Sequence, residues 1–357
     1  MEFINEYGLF LAKVITIVIA IGFVAGLVAA AGSKNRKRGD KGHVEVVKLN
    51  DRFKHMTHAL KQAALDDAER KADAKAEKKQ EKAEQAEKKK ALKAQAKGDG
   101  KPKDSDKKRV FVLDFNGDIK ASATDSLREE ITAVLSLARP SDEVVVKLES
   151  GGGLVHSYGL ASSQLARIRD RHIPLTVCVD KVAASGGYMM ACVADRILAA
   201  PFAVLGSIGV VAQLPNFHKL LKKNNIDFEM FTAGEYKRTV TMFGENTKKG
   251  RDKFVEDLED THILFKEFVS EHRPQVEIDK VATGEIWFGR RAQSVKLIDE
   301  LKTSDEYLVQ LAEKADVFEV SFVHKKSLPE KLGMATEGAV DRLLLRWWQR
   351  SNNQRWF

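Results

Sequence analysis

The chain has 357 residues, of which 43% are hydrophobic, and carries a formal net charge of +8. The positive excess lies in residues 34–108, which hold 24 Lys and Arg against 14 Asp and Glu, so the rest is close to neutral and a folded nucleic-acid reader is excluded. The two cysteines, Cys178 and Cys192, lie in apolar runs away from any Cys/His cluster, so we expect neither a disulfide framework nor a bound metal or other cofactor.

The first 33 residues predict a membrane anchor. Residues 14–31 are eighteen consecutive residues without a charge, which is long enough to cross a bilayer as a helix. Acidic residues precede this run and a basic cluster at residues 34–38 follows it, the reverse of the order in a cleaved signal peptide. We therefore interpret the run as an uncleaved anchor, and the positive-inside rule favours the cytoplasm for the residues that follow.

Residues 34–108 predict a charged helical spacer. An amphipathic helix begins it, with Leu49, Phe53, Met56 and Leu60 at helical spacing. Residues 61–97 are then almost wholly Ala, Lys, Glu, Gln and Asp, which suits an exposed, semi-rigid helix better than a coiled coil. We expect the compact domain to begin at residue 109.

Strands and helices alternate in the compact domain. Apolar strands are predicted at residues 110–115, 143–148, 175–179 and 201–211, a short strand at residues 227–232, and helices at residues 125–137 and 159–171. This order predicts an α/β fold with a largely parallel sheet covered on both faces. In such folds the chemistry gathers at the carboxyl ends of the strands.

Two of those strand ends carry candidate chemistry. Ser185 lies in a turn of small residues that leads into a helix, where a hydroxyl and free backbone N–H groups come together. Residues 151–153 are three glycines, which allow backbone N–H groups to point into a cleft. A nucleophile with an oxyanion hole is one interpretation, and tight turns that merely pack a helix on the sheet are the other.

The base for such a serine is less evident. His156, His172, His218 and His262 lie in no loop with distinctive chemistry, and we interpret them as surface or packing residues. Lys237 instead lies in a segment rich in apolar and aromatic residues. Burial lowers the pKa of a lysine amine, so a buried lysine can accept a proton from serine.

Several motifs in order resemble one known family over residues 110–311. They are Ser185–Tyr188, Ala194–Asp195, Pro201, Gly206–Val210, Gly234–Lys237, Trp287–Arg290 and Leu297–Asp299. Together they resemble the signal peptide peptidase A family, which is peptidase family S49. We therefore expect residues 109–325 to form a peptidase domain.

The resemblance implies a ClpP/crotonase-like fold and a Ser/Lys dyad. Ser185 matches the family nucleophile, Lys237 its general base, and Gly152 and Gly186 the backbone donors of the oxyanion hole. The family's loop reads Ser-Pro-Gly-Gly, whereas this chain has glycine in place of the proline at residue 151. Losing the proline leaves the loop freer, so the position of the Gly152 N–H is less constrained.

The expected function is a membrane-anchored serine endopeptidase without a cofactor. Its expected substrates are membrane-derived peptides, including remnant signal peptides, or unfolded segments with small or apolar side chains. Ser207, which lies between Gly206 and Gly209, is a candidate for orienting the lysine, and a turn serine that bonds its own backbone is the alternative. The alternatives are a catalytically weak oligomeric scaffold and a crotonase-type acyl-CoA enzyme, whose fold shares the oxyanion hole.

The resemblance also implies the assembly and the location. We expect a ring-shaped homo-oligomer of eight subunits in which Ser185 of one subunit faces Lys237 of the next. The expected location is the bacterial inner membrane, with the domain cytoplasmic by charge and periplasmic by family analogy. Three of the four tryptophans lie in the last fifteen residues among arginines. The basic, aromatic tail at residues 326–357 therefore suits a membrane interface or a neighbour's groove, and docking on its own domain is the alternative.

Overall fold

The computed structural model describes residues 42–73 and 107–324, together with isolated positions before residue 17 and between residues 75 and 86. Nearly all of the predicted anchor at residues 14–31, most of the spacer beyond residue 73 and the tail at residues 326–357 lie outside the described residues. Within the part described, no helix is both long and apolar enough to cross a membrane.

One ten-stranded sheet, counted over the described residues, organises the domain. The strands are β1 Gly42–Lys48, β2 Arg109–Gly117, β3 Glu143–Ser150, β4 Leu175–Val179, β5 Val182–Ala184, β6 Arg196–Ala199, β7 Val204–Gly206, β8 Ile286–Phe288, β9 Glu300–Leu301 and β10 Asp316–His324. The central path of the sheet runs β1-β10-β2-β3-β4-β6-β9, while β5 joins β3 to β7, and β8 pairs with β7. The pairings with a described register are parallel except for β7 with β8.

Helices connect and cover these strands. They are α1 Leu49–Ala64, α2 Thr124–Leu135, α3 Val155–Arg169, α4 Gly186–Ala191, α5 His218–Lys223, α6 Lys248–His272, α7 Ile278–Val281, α8 Gly289–Ser294 and α9 Ser304–Lys314. Neighbouring residues of β2 enter two separate cores, Phe111 and Leu113 the larger and Val110 and Val112 the smaller. Because successive side chains of a strand point to opposite faces, both faces of the sheet are covered, as the apolar strands predict.

The described residues between Val44 and Phe322 form one compact unit, which includes α1 on the N-terminal side of the predicted domain start at residue 109. Leu49 at the start of α1 is 4% exposed and packs in the smaller core. The Asn50 side chain donates to the carbonyl oxygens of Ala312 and Ala315 and accepts from the N–H of Val317. The first helix of the predicted spacer is therefore fastened to the domain by burial and by three hydrogen bonds.

Two predicted strands differ from the structure. The apolar run at residues 201–211 forms only β7, because the backbone turns through positive φ at Gly206 (85°) and Ser207 (49°). Residues 227–232 form no strand, and Phe231 is 88% exposed there. The helices and strands predicted between residues 110 and 179 all form, as β2, α2, β3, α3 and β4.

Candidate active site

Three strand ends meet at one edge of the sheet. Ser150 at the end of β3 pairs with Ala183 of β5, and Ala184 at the end of β5 pairs with Gly206 of β7. Because these strands are parallel, the segments that follow them emerge side by side. The glycine loop (residues 151–153), Ser185 and Ser207 are thus brought together.

Ser185 adopts an unusual backbone conformation between β5 and α4. Its φ and ψ are 54° and −120°, and its N–H donates to the carbonyl oxygen of Gly206 at 2.8 Å. A non-glycine residue held in such a region costs on the order of 1–3 kcal/mol. The flanking pairings of β5 with β3 and β7 hold the turn, and the serine remains half-buried at its tip.

The glycine loop lies directly against this turn. A Cβ atom placed on Gly152 would lie 2.6 Å from the Gly186 nitrogen and 2.7 Å from the Ser185 Cβ, and the φ of Gly152 is 87°. Only glycine is accommodated at residue 152 without strain. The structure therefore brings Gly152, Ser185 and Gly186 together.

The backbone amides around Ser185 differ in their partners. The Gly152 N–H donates to the Ser150 Oγ at 3.0 Å. In the described part of the chain, the N–H groups of Gly153 and Gly186 make no hydrogen bond. Gly153 also lines the same cavity as Ser185, so its amide is a candidate oxyanion donor that the sequence analysis missed.

Tyr158 contacts both Ser150, which precedes the glycine loop, and Gly186, which follows Ser185. Its hydroxyl shares a 2.5 Å hydrogen bond with Ser150 Oγ and donates to the carbonyl oxygen of Asp118 at 2.7 Å. Its ring fills the space where a Gly186 Cβ would stand. Burial raises the pKa of Tyr158, which keeps the hydroxyl protonated and able to donate.

A cavity of about 530 Å³ opens beside Ser185. Its lining includes Gly153, Ser207 and Thr283, and also His262 from α6. Ser207 has its N–H bonded to the carbonyl oxygen of Glu285 at 2.7 Å, which fixes its backbone at the cavity edge. The structure thus places two of the predicted site residues, Ser185 and Ser207, in one cavity.

Lys237 lies elsewhere in the single chain. It is exposed, does not line the cavity, and sits in the long connection between α5 and α6. The apolar side chains near it, including Phe231 and Tyr236, are exposed as well. Among the described residues, Lys237 therefore lacks the buried surroundings expected for it, because the connection between α5 and α6 does not pack on the core.

His262 is the titratable side chain that lines the cavity, within the residues described. From the sequence alone it is interpreted as a surface or packing residue, because it lies on a helical pattern and in no loop with distinctive chemistry. The histidine that lies closest in sequence to the glycine loop, His156, is exposed and outside the cavity lining. Only the folded chain shows which histidine reaches Ser185's cavity.

A serine on a strained strand-to-helix turn, with unpaired amides at a cavity edge, is an arrangement suited to acyl transfer. The sequence matches peptidase family S49 N-terminal over residues 2–165 and peptidase family S49 over residues 167–318. The chain therefore belongs to peptidase family S49, a family of proteases, which confirms the resemblance.

Proteins with similar sequences are also named as proteases. "Probable protease SohB" of Haemophilus influenzae is 48% identical over 97% of this chain and 96% of that protein. "Probable protease SohB" of Buchnera aphidicola subsp. Schlechtendalia chinensis is 48% identical over 87% of this chain and 99% of that protein. Among solved structures, the chain aligns with the 1510-N membrane-bound stomatin-specific protease, as its K138A mutant in complex with a substrate peptide. The alignment covers 64% of this chain and 96% of that one, with a TM-score of 0.39 and 14% sequence identity. This similarity is too low to inform on the site.

Proposed function

We propose that the protein is a membrane-anchored serine endopeptidase with a Ser185/Lys237 dyad. The observation that carries this proposal is Ser185 at φ 54°, at the edge of a cavity of about 530 Å³ and beside the amides of Gly153 and Gly186, which have no hydrogen-bond partner among the described residues. Membership of peptidase family S49 supports peptide hydrolysis as the reaction.

In the proposed reaction, Ser185 Oγ attacks the carbonyl carbon of the scissile peptide bond. Its proton passes to the Lys237 amine, and backbone amides donate to the resulting oxyanion. The tetrahedral intermediate then collapses to an acyl-enzyme as the amine product leaves with that proton, and water releases the acyl group. The Gly186 and Gly153 amides are available for the oxyanion, whereas the Gly152 amide becomes so when its bond to Ser150 opens.

We further propose that Lys237 acts in the cavity of a neighbouring subunit. Its exposure in the single chain supports this arrangement, and so do the exposed apolar side chains of the same connection. These side chains are Ile226, Phe228, Met230, Phe231, Tyr236, Met242 and Phe243. A closed ring of identical head-to-tail contacts, with eight subunits by family resemblance, would cover them and supply every serine with a lysine.

The remaining parts of the proposal concern fold, location and substrate. We propose a ClpP/crotonase-like fold, an anchor at residues 14–31 in the bacterial inner membrane, and membrane-derived or unfolded peptides as substrates, including remnant signal peptides. The flanking charges favour a cytoplasmic domain, and family analogy favours a periplasmic one. Reporter fusions at Gly98 distinguish the two, because a phosphatase reporter is active only outside the cytoplasm.

The central test is the loss of hydrolysis on removing either dyad member. Ser185→Ala and Lys237→Ala should each lower kcat for a fluorogenic peptide by about 10³-fold or more, because the two groups act as one unit. Lys314→Ala, which removes an exposed lysine at the end of α9, is the matched control and should keep the wild-type rate.

A fluorophosphonate probe identifies the nucleophile independently. Labelling that disappears in Ser185→Ala supports the peptidase, whereas an unlabelled wild-type protein would favour an acyl-CoA enzyme or a scaffold. If Lys237→Ala keeps most of its rate, Lys237 is not the base, and His262 is the next residue to substitute because it lines the cavity.

A further inference from the structure

His262 lies in the wall of the cavity that contains Ser185. It is carried by α6, whose Phe265 and Val269 are buried in the larger core and fix the helix against the domain. The His262 Nε2 atom is screened from solvent and has no hydrogen-bond partner among the described residues. Buried side-chain polar atoms in native proteins nearly always have a partner, so this one requires an explanation.

Two threonine hydroxyls in this region of the wall have partners. The Thr283 hydroxyl donates to the Glu285 carboxylate at 2.9 Å. The hydroxyl of Thr261, which lines a small adjoining cavity, donates to the carbonyl oxygen of Asp257 at 2.7 Å. His262 therefore stands apart as a solvent-screened group of this wall with unused hydrogen-bonding capacity.

The chemistry of a matching ligand group follows from the imidazole. A neutral ring presents Nε2 either as a donor or as an acceptor, depending on the tautomer. Hydroxyl and carboxamide groups both donate and accept, so they match either tautomer, whereas a carboxylate only accepts and an ammonium only donates. A charged group would also lose its hydration in this wall, which is unfavourable.

We propose that His262 is a specificity-determining residue whose Nε2 hydrogen-bonds a hydroxyl or carboxamide side chain of the bound peptide. This inference rests on the proposed function, in which the cavity binds a peptide. Because Nε2 is screened from solvent in the free protein, the imidazole ring has to turn about its side-chain torsions toward the cavity before a projecting side chain of the peptide reaches Nε2. The cavity thus selects Ser, Thr, Asn or Gln at one position, in addition to the small or apolar residues expected from the family.

The test compares peptides that differ only by Thr and its near-isostere Val, placed in turn at each position around the scissile bond. With the full-length assembled protein, kcat/KM should favour Thr by about tenfold at one position, because the Val peptide leaves Nε2 unpaired. His262→Leu should bring that ratio close to one, and His262→Gln should retain part of it. His55→Leu, which replaces an exposed histidine on α1, is the matched control and should keep the wild-type ratio.

Binding to the Ser185→Ala protein separates this inference from the proposed function. The same Thr preference in Kd, lost on adding His262→Leu, would support the role of His262 even if the wild-type protein hydrolysed nothing. The inference is overturned if no position favours Thr in rate or in Kd. It is also overturned if His262→Leu weakens both peptides equally, since that result indicates a structural or main-chain contact. If the His262 variants do not fold, a wild-type protein without a Thr preference still overturns the inference.

Discussion

Ser207 stands at the end of β7 in a conformation that non-glycine residues seldom adopt, with φ at 49°. It lines the cavity beside Ser185, and its hydroxyl has no hydrogen-bond partner within the described residues. A free hydroxyl held at a strained position next to Ser185, the proposed nucleophile, suits a positioning residue. We propose that it accepts a hydrogen bond from the Lys237 amine and orients it toward Ser185.

Removing that hydroxyl should affect the rate more than the binding of peptide. Ser207→Ala should lower kcat by about tenfold with little change in KM, and should alter the pH–rate profile, because an unoriented amine is a poorer base. Ser207→Gly is the matched variant, since glycine tolerates the positive φ but also lacks the hydroxyl. Recovery of the wild-type rate in Ser207→Gly, or an unchanged rate and profile in Ser207→Ala, would rule out the orienting role.

Glu130 makes stability depend on pH in a definite direction. It is 5% exposed on α2 and accepts the N–H of Phe322 at 2.8 Å. Burial raises the pKa of its carboxyl group, and the charge of Asp114 raises it further. Because the folded pKa exceeds the unfolded one, the stability from this group is fully present below the unfolded pKa of about 4.3 and is lost as pH rises through the folded value.

Glu130→Gln should therefore stabilise the protein at pH 8 relative to the wild type and not at pH 4, where the wild-type carboxyl group is protonated. Chemical denaturation of the solubilised protein at the two pH values measures the two free energies of unfolding. Glu129→Gln, at the exposed neighbouring position, should show no such difference. The same gain at both pH values would mean that the effect comes from packing and not from the buried charge.

At the scale of elements, the glycine loop offers a matched pair of substitutions. A Cβ on Gly153 would collide with the backbone carbonyl of Ile119, whereas a Cβ on Gly151 meets nothing within 4 Å. Gly153→Ala should displace the loop from Ser185, lowering kcat/KM by about tenfold or more and the free energy of unfolding by about 1–3 kcal/mol. Gly151→Ala should leave the fold intact and restrict the unfolded chain, with a gain of up to about 1 kcal/mol.

Peptide hydrolysis and thermal unfolding of the two variants provide the measurement. If both alanines are equally tolerated, the contact between the loop and Ile119 does not position the amides. If both are equally harmful, loop mobility itself is required, and the cause is then not steric.

The elements that the sequence predicts well are those whose partners lie in the same domain. Residues 110–115 and 143–148 are mostly apolar, with charges only at Asp114, Glu143 and Lys147, and they pair directly as β2 and β3, so local pattern and tertiary contact agree. Residues 227–232 have a strand-like composition but pair with no strand among the described residues, and they are exposed. The nucleophile turn was readable from its small residues, whereas His262 was not, because only folding brings α6 to the cavity.

At the scale of the whole molecule, the proposed ring predicts complementation between two inactive proteins. In an equimolar random mixture of Ser185→Ala and Lys237→Ala subunits, about one interface in four joins an intact serine to an intact lysine. Hydrolysis should therefore recover to about a quarter of the wild-type rate. The measurement requires subunits with two different tags, so that mixed rings are isolated before assay.

Mixing Ser185→Ala with the double variant Ser185→Ala/Lys237→Ala provides the control, because no interface then contains an intact serine. Verified mixed rings of the two single variants that stay inactive would show that serine and lysine must come from one chain. In that case the connection between α5 and α6 would have to fold back onto its own cavity.

The position of β10 in the sheet bears on how the protein is synthesised. Residues 316–319 of β10 pair with residues 109–112 of β2. One edge of β2 is therefore paired only by β10, the last strand among the described residues. During translation the edge of β2 therefore stays unpaired while about 200 further residues are made, roughly 10–40 s at ordinary elongation rates. A nascent chain that stalls before residue 316 presents that open edge, which is a template for pairing with another chain. Completion of the polypeptide, and not its first strands, closes this side of the sheet.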